Sequence, residues 1–261
     1  MNDALYIAAT GMQSQQLSVD TIANNMANVT TPGFKRGRVN FQDLMYRDAS
    51  PTSANGTTDP AAMVSVARGS GVSVGSLLKF FGAGELKTSD NPMDLAIRGD
   101  GFLEVQLADG STGFWRGGTL QVTPEGWLAT SEGSLLKPQI QVGRDGKAWA
   151  IASDGRVTGA DRAGHAVELG RLELHTFSNA AGLKPLGDGL YRPTEASGES
   201  IVARPGTDGA ATLVQGAQEQ SNVKLIDEMV NLMVAQRAYE MNVKVIQAAD
   251  EMLGMSNNLR K

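Results

Sequence analysis

The chain of 261 residues contains no cysteine. That excludes disulfides, thiolate metal sites and cysteine nucleophiles together. Histidine is almost as scarce: His165 and His175 are the only two. Neither sits in an H-x-x-x-H or similar spacing, so no zinc motif is written here. The first 34 residues hold no Lys or Arg. A secretory signal needs a basic start and a transit peptide needs arginines, so neither fits. If the protein leaves the cytoplasm, the expectation is export without cleavage of a signal peptide. No run approaches the ~18 apolar residues of a membrane-spanning helix. The formal net charge of -5 argues against nucleic acid as a partner.

Motifs that would carry chemistry are equally thin. "GSGVSVG", Gly69 to Gly75, has its third glycine misplaced for a dinucleotide loop, and no helix pattern follows. "SLLK", Ser134 to Lys137, matches S-x-x-K of serine acyl enzymes without the companion motifs. The sequons at Asn28 and Asn55 are formal matches only. Six of the sixteen aspartates precede glycine, where a turn accounts for them. The expectation is no enzyme, no catalytic residue, no cofactor and no metal.

What is present is periodicity at the two ends. Leu5, Met12, Val19 and Met26 recur every seven residues, and Ala8, Gln15, Ile22 and Val29 repeat the step offset by three. This is an a/d seam interrupted at Gln15. Asn2 is positioned to cap that helix and Asp3 suits its positive end. Gly11, beside Ala8 and Ala9, would let a partner helix come close. Near the C-terminus, Leu225, Leu232, Tyr239, Ile246 and Leu253 recur every seven, with Met229 and Val243 between them and Gln236 and Asp250 breaking the second line. Ser221 or Asn222 is the expected cap.

The middle differs in kind. "LADGSTGFW", "TPEGWLAT" and "GRDGKAWAIASDGRVTG" place Asp-Gly and Glu-Gly turns between short alternating runs, which are hairpin signals. Before them lies "RDASPTSANGTTDPAAM", Arg47 to Met63, with almost no apolar content. Its composition predicts a long loop or arm, including Arg47, Asp48, Ser50, Pro51, Asn55, Asp59 and Met63. The predicted fold class is α+β. N- and C-terminal helices pair as a coiled coil, and a β-rich domain and an extended arm are inserted between them. The expected divisions are 1–34, 35–75, 76–215 and 216–261. Two such helices alone leave much apolar surface in water, so neighbouring copies would bury it. Asn24, Asn25, Asn28, Arg237, Glu240 and Asn242 are the candidate polar contacts between copies.

Three blocks resemble one family. "ANNMANVTTPGFKR" (Ala23 to Arg36), "NPMDLAIRGDGFLEV" (Asn91 to Val105) and "MVAQRAYEMNVKVIQAADEML" (Met233 to Leu253) resemble, in order, signatures of the bacterial flagellar rod and hook proteins. The family's aromatic-Thr-Arg-Asn/Asp-Gly run stands here as "FWRGG", Phe114 to Gly118. "QRAYEMN" and the arm are most like the distal-rod members; proximal rod and hook subunits are the alternatives, and a secreted β-rich binding module a remote one. The resemblance implies a structural subunit of the basal body that leaves by the flagellar type III export apparatus. It implies a helical homopolymer, a stiff hollow tube crossing the periplasm. Its implied partners are proximal rod proteins, the hook protein, the peptidoglycan-ring and outer-membrane-ring proteins and a rod cap.

Overall fold

The computed structural model describes residues 2–44, 47–48, 67–143, 149–160, 165–207 and 211–258. The architecture is α+β, with a helix at each end and a β-rich middle. The chain divides into two compact units, one of Met1–Met26, Gly37–Leu78 and Lys224–Lys261, the other of Ala27–Arg36 and Lys79–Val223.

The first unit holds α1 (Asn2–Ala27), α2 (Leu225–Asn258) and short strands. Polar residues inside α1 are satisfied locally: Thr10, Ser14 and Thr21 donate their hydroxyls to the carbonyls of Ile7, Thr10 and Leu17 at 2.8–2.9 Å. Pro32 and Gly33 follow its end, and Gly33 takes φ 70, a left-handed value that suits glycine. α2 runs for 34 residues with Asp227 and Glu228 in its first turn. Neither expected cap serves it. The Glu228 N–H bonds the Lys224 carbonyl, the Ser221 hydroxyl accepts from Val223 N, and the Asn222 side chain is committed elsewhere.

The two helices touch at two points. Asn25 Nδ2 donates to Glu228 Oε2 at 3.3 Å. A Cβ on Gly11 would lie 2.9 Å from Asn242 Nδ2. From the first point to the second, α1 steps back from 25 to 11 and α2 forward from 228 to 242, two heptads each. The contacts are therefore in antiparallel register. Beside α1, β1 (Gly37–Asp43) pairs with β4 (Val72–Lys79), and β2 (Arg47–Asp48) with β3 (Ala67–Arg68). Of the expected arm only the backbone of Arg47 and Asp48 is described; Ser50, Pro51, Asn55, Asp59 and Met63 lie outside the described residues.

The second unit is built from strands. In chain order these are β5 (Leu86–Thr88), β6 (Asp94–Arg98), β7 (Phe102–Gln106), β8 (Thr112–Trp115), β9 (Gly117–Val122), β10 (Leu128–Thr130), β11 (Leu135–Leu136), β12 (Trp149–Ile151), β13 (Arg156–Ala160) and β14 (Ala166–Arg171). They continue as β15 (Leu174–Phe177), β16 (Lys184–Gly187), β17 (Leu190–Arg192), β18 (Ser200–Ala203), β19 (Thr212–Gln215) and β20 (Ala217–Glu219). The main sheet runs β16-β17-β8-β7-β11-β10-β9-β6-β19, with β15 joining β7 and β18. β12-β13-β14 form a second sheet and β5 pairs with β20.

Three of the turns expected at Asp-Gly and Glu-Gly fall where the sequence puts them, and the fourth, Asp145-Gly146, lies outside the described residues. Gly110, Gly126 and Gly155 close the β7–β8, β9–β10 and β12–β13 turns by donating to Leu107, Thr123 and Ala152. The β16–β17 turn is Asp188-Gly189, with φ 49 and 72, the pair of positive values a type I′ hairpin requires. Alternation then sorts the side chains. Leu103 and Val105 of β7 enter the main core with Leu95, Trp115, Leu120 and Leu136, and Phe102 enters a second cluster with Phe114, Leu183 and Tyr191. Rings in that cluster meet edge to face at 5.7 Å between Phe102 and Tyr191.

Candidate functional site: a buried ionic joint and exposed helical faces

The chain passes between the two units four times, at 26/27, 36/37, 78/79 and 223/224, and three of these crossings, after Arg36, before Lys79 and after Val223, share one cluster within the β unit. The side chains that tie them together are charged and buried. Glu219, at the end of β20, accepts from Lys35 Nζ at 2.7 Å and from the Gly84 N–H at 2.8 Å on one oxygen. Its other oxygen accepts from Arg116 Nε at 3.2 Å. Lys35 also donates to the Gly82 carbonyl at 3.0 Å. Arg116 sends its two remaining nitrogens to the carbonyls of Gly101 and Gly99, each at 2.7 Å. The Lys35 and Arg116 side chains are 0% and 1% exposed. One carboxylate thus serves two cations, and carbonyls absorb the excess positive charge. Burial pulls the Lys35 ammonium below its ordinary pKa, and the Glu219 carboxylate offsets part of that shift.

Asn222 completes the joint. Its Oδ1 accepts from Arg36 N at 2.8 Å, and its Nδ2 donates to the Phe80 and Gly82 carbonyls at 2.8 and 3.0 Å. The Gly33 N–H donates to the Glu219 carbonyl and the Phe80 N–H to that of Arg36. Lys79 Nζ lies 4.3 Å from the Phe34 ring centre and donates to the Lys35 carbonyl at 3.1 Å. Each of the three crossings is bonded to the other two. Gly84 admits the packing, because a Cβ there would meet the Gln220 carbonyl oxygen at 2.0 Å.

A second buried carboxylate, Asp94, holds the neighbouring turn. It accepts from Ser89 Oγ, Thr119 Oγ1 and Gln218 Nε2 at 2.6, 2.7 and 2.8 Å. These bonds explain why the conspicuous blocks contain what they do. The first supplies Lys35, the second Asp94, Gly99 and Gly101, and "FWRGG" supplies Arg116. Periodicity could not find this cluster, since its members are single residues far apart in the chain. The only advance signal was charge inside otherwise apolar or Gly-rich blocks.

The helices present a different kind of surface. Of the N-terminal seam, Ala8 and Ile22 are buried, Leu5, Met12, Val19 and Met26 are half-buried, and Val29 lies beyond the end of α1. On α2, Leu232, Val243, Ile246 and Leu253 are half-buried, while Leu225, Met229 and Tyr239 are exposed. The buried line of α2 is instead Glu228, Ala235 and Ala249, with half-buried Asn242 in step. It runs one residue before Met229, Gln236, Val243 and Asp250, so the polar Gln236 and Asp250 interrupt nothing. A hydrophobicity count passes over a line of Glu, Ala and Asn.

Among the candidate polar contacts, Asn25 has a task inside the chain. It is 2% exposed, and its amide accepts from Gly37 N at 2.8 Å and donates to the Gly37 carbonyl at 2.9 Å as well as to Glu228. Asn28 accepts from the Thr31 hydroxyl at 3.1 Å and Asn242 faces Gly11, while Asn24, Arg237 and Glu240 are exposed.

Comparison with known proteins fits this arrangement. Three family models match along the chain: "Flagella basal body rod protein" over residues 5–35, "Flagellar hook protein FlgE/F/G D1 domain" over 96–159 and "Flagellar basal body rod FlgEFG protein C-terminal" over 214–259. The flagellar basal-body rod protein FlgG of Borreliella burgdorferi is 38% identical over 264 residues, covering 100% of both chains. The chain belongs to the flagellar basal-body rod family. FlgG of Agrobacterium fabrum is 40% identical over 262 residues, with 98% of this chain and 99% of that one covered. FlgF of Salmonella typhimurium, also a rod protein, is 31% identical over 99% of this chain and 98% of its own. Its similarity to FlgG rod proteins marks this family member as a structural subunit of the distal rod rather than a proximal rod or hook subunit. No helix among the described residues is long and apolar enough to cross a membrane.

Proposed function

We propose that this rod subunit assembles with copies of itself into a stiff, hollow helical tube that carries motor torque to the hook. The observation behind the reading is the surface of α2. Ile226, Val234, Met241 and Met255 are 77%, 62%, 60% and 59% exposed in the single chain. Apolar surface on that scale needs covering, and contacts that do not close into a ring generate filaments. α1 and α2 form an antiparallel coiled coil in this reading. The β unit has its own core, and the cluster around Glu219 ties together the stretches of that unit next to three of its connections to the helical unit.

The chain would pass through the flagellar export apparatus without cleavage and meet the rod cap, proximal rod, hook and ring proteins in the assembled basal body. Met12→Asp and Leu232→Asp should each abolish rods while leaving the β unit folded, because an unpaired charge in a packed seam costs several kcal/mol. Motile cells with straight rods from both variants would defeat the reading. Residues 47–63 are proposed to lock the curvature of the tube; deletion should leave export intact and give bendable or overlong rods by electron microscopy.

A further inference from the structure

α2 carries a second apolar line. Val234, Ala238, Met241, Val245, Ala248, Met252 and Met255 follow one another in steps of four and three. At about 100° per residue this line runs about 100° round the helix from Glu228, Ala235, Asn242 and Ala249, the line turned toward the chain's own interior. Val234, Met241, Val245, Met252 and Met255 are 62%, 60%, 46%, 49% and 59% exposed. Small alanines alternate with larger side chains, which is the relief a partner helix interlocks with. A line spanning six turns needs a long partner. In the described chain the one other long helix is α1, already in contact with the first line.

α1 has a matching stripe. Tyr6, Gln13, Leu17, Asp20 and Asn24 share one side, and Tyr6 and Leu17 are 58% and 38% exposed there. Its only charges are Asp3 and Asp20. Arg237 and Lys244 border the second line of α2, with Glu240 and Glu251 further round. We infer that α1 of an adjacent copy, by its Tyr6–Leu17–Asn24 stripe, occupies the second apolar line of α2. The inference rests on the rod reading and adds to it: one line of α2 closes the subunit and the other joins subunits.

The cysteine-free chain makes the test direct. Two differently sized tagged copies are co-expressed in flagellated cells, one with Leu17→Cys and the other with Val234→Cys, Met241→Cys, Val245→Cys or Met252→Cys. Any disulfide between them then joins two copies. Purified basal bodies should give a mixed-size disulfide in at least one pairing, at least tenfold above a Gln236→Cys control on the polar side. Disulfides between two Met241→Cys copies, without the mixed product, would overturn α1 as the occupant. Assembled rods with no disulfide from any pairing would overturn the second line as an interface. Failure of the unmodified protein to enter rods would refute the rod reading itself and this inference with it.

Discussion

Replacing Glu219 by Gln keeps the shape of the joint and removes its only negative charge. Lys35 and Arg116 then remain buried with no carboxylate between them, and the new amide points a donor at the Arg116 Nε–H. Breaking one partner of a buried ion pair costs about 3–5 kcal/mol. A second route gives the same scale. Lys35 can escape by losing its proton, and at pH 7 this costs about 1.4 kcal/mol for each unit below 10.5, or about 5 kcal/mol. That bound falls as pH rises, so the deficit of the variant should shrink between pH 7 and pH 9. Urea unfolding followed by tryptophan fluorescence reads the β unit selectively, because Trp115, Trp127 and Trp149 all lie in it. The midpoint should drop with m unchanged. Adding Lys35→Met to the variant should recover much of the loss, as expected for two residues in one network. A deficit below about 1 kcal/mol at pH 7, or one that does not change with pH, would refute the buried joint.

Other groups give pH signatures of known sign. Burial pushes the Tyr191 phenol up to about 12. Its contribution is full below pH 10 and lost as pH rises through about 12, so the protein should lose about 1.4 kcal/mol by pH 11 that a Tyr191→Phe variant keeps. Lys35 acts oppositely between its lowered pKa and 10.5, where stability rises with pH. His175 is held below the ordinary histidine pKa by burial, against the pull of Glu104 at 3.3 Å. Stability should therefore fall as pH drops below 6.5, and ring-proton NMR should show His175 titrating below that value. Gly11→Ala should weaken rod assembly through its contact at 2.9 Å, and Asn242→Ala should relieve the defect in the double variant; equal assembly by all three in a motility assay would refute the close approach.

How much of this the sequence disclosed depends on whether a signal repeats. The helices were readable because Leu, Ile and Met recur at fixed spacing over many turns, and the hairpins because Asp-Gly and Glu-Gly impose local geometry whatever surrounds them. The line where α2 faces its own chain was shifted by one residue. The residues there are Glu228, Ala235, Asn242 and Ala249, chosen for size and hydrogen bonding rather than hydrophobicity, whereas Met229 and Val243 mark a neighbouring stripe. The asparagines at the end of α1 show the same limit. Counted as helix-ending polar residues they resemble surface contacts, yet Asn25 binds the peptide of Gly37 from both sides, a partner 12 residues away.

The ionic joint was the least legible part, and its physics says why. A carboxylate buried with two cations gains little net stability over an apolar packing of the same volume. What it does impose is geometry: Glu219 reaches Lys35, Arg116 and Gly84, residues 184, 103 and 135 positions away, within 3.2 Å. Apolar contacts tolerate sliding, whereas an oxygen shared by Nζ and an amide N–H permits little. What the buried charges add is resistance to sliding between the stretches of the β unit that they join, rather than stability. The same reasoning separates the two kinds of surface in this protein. Apolar lines on α1 and α2 are exposed over many turns of helix, and the charged cluster fixes the register of the stretches of the β unit that it binds.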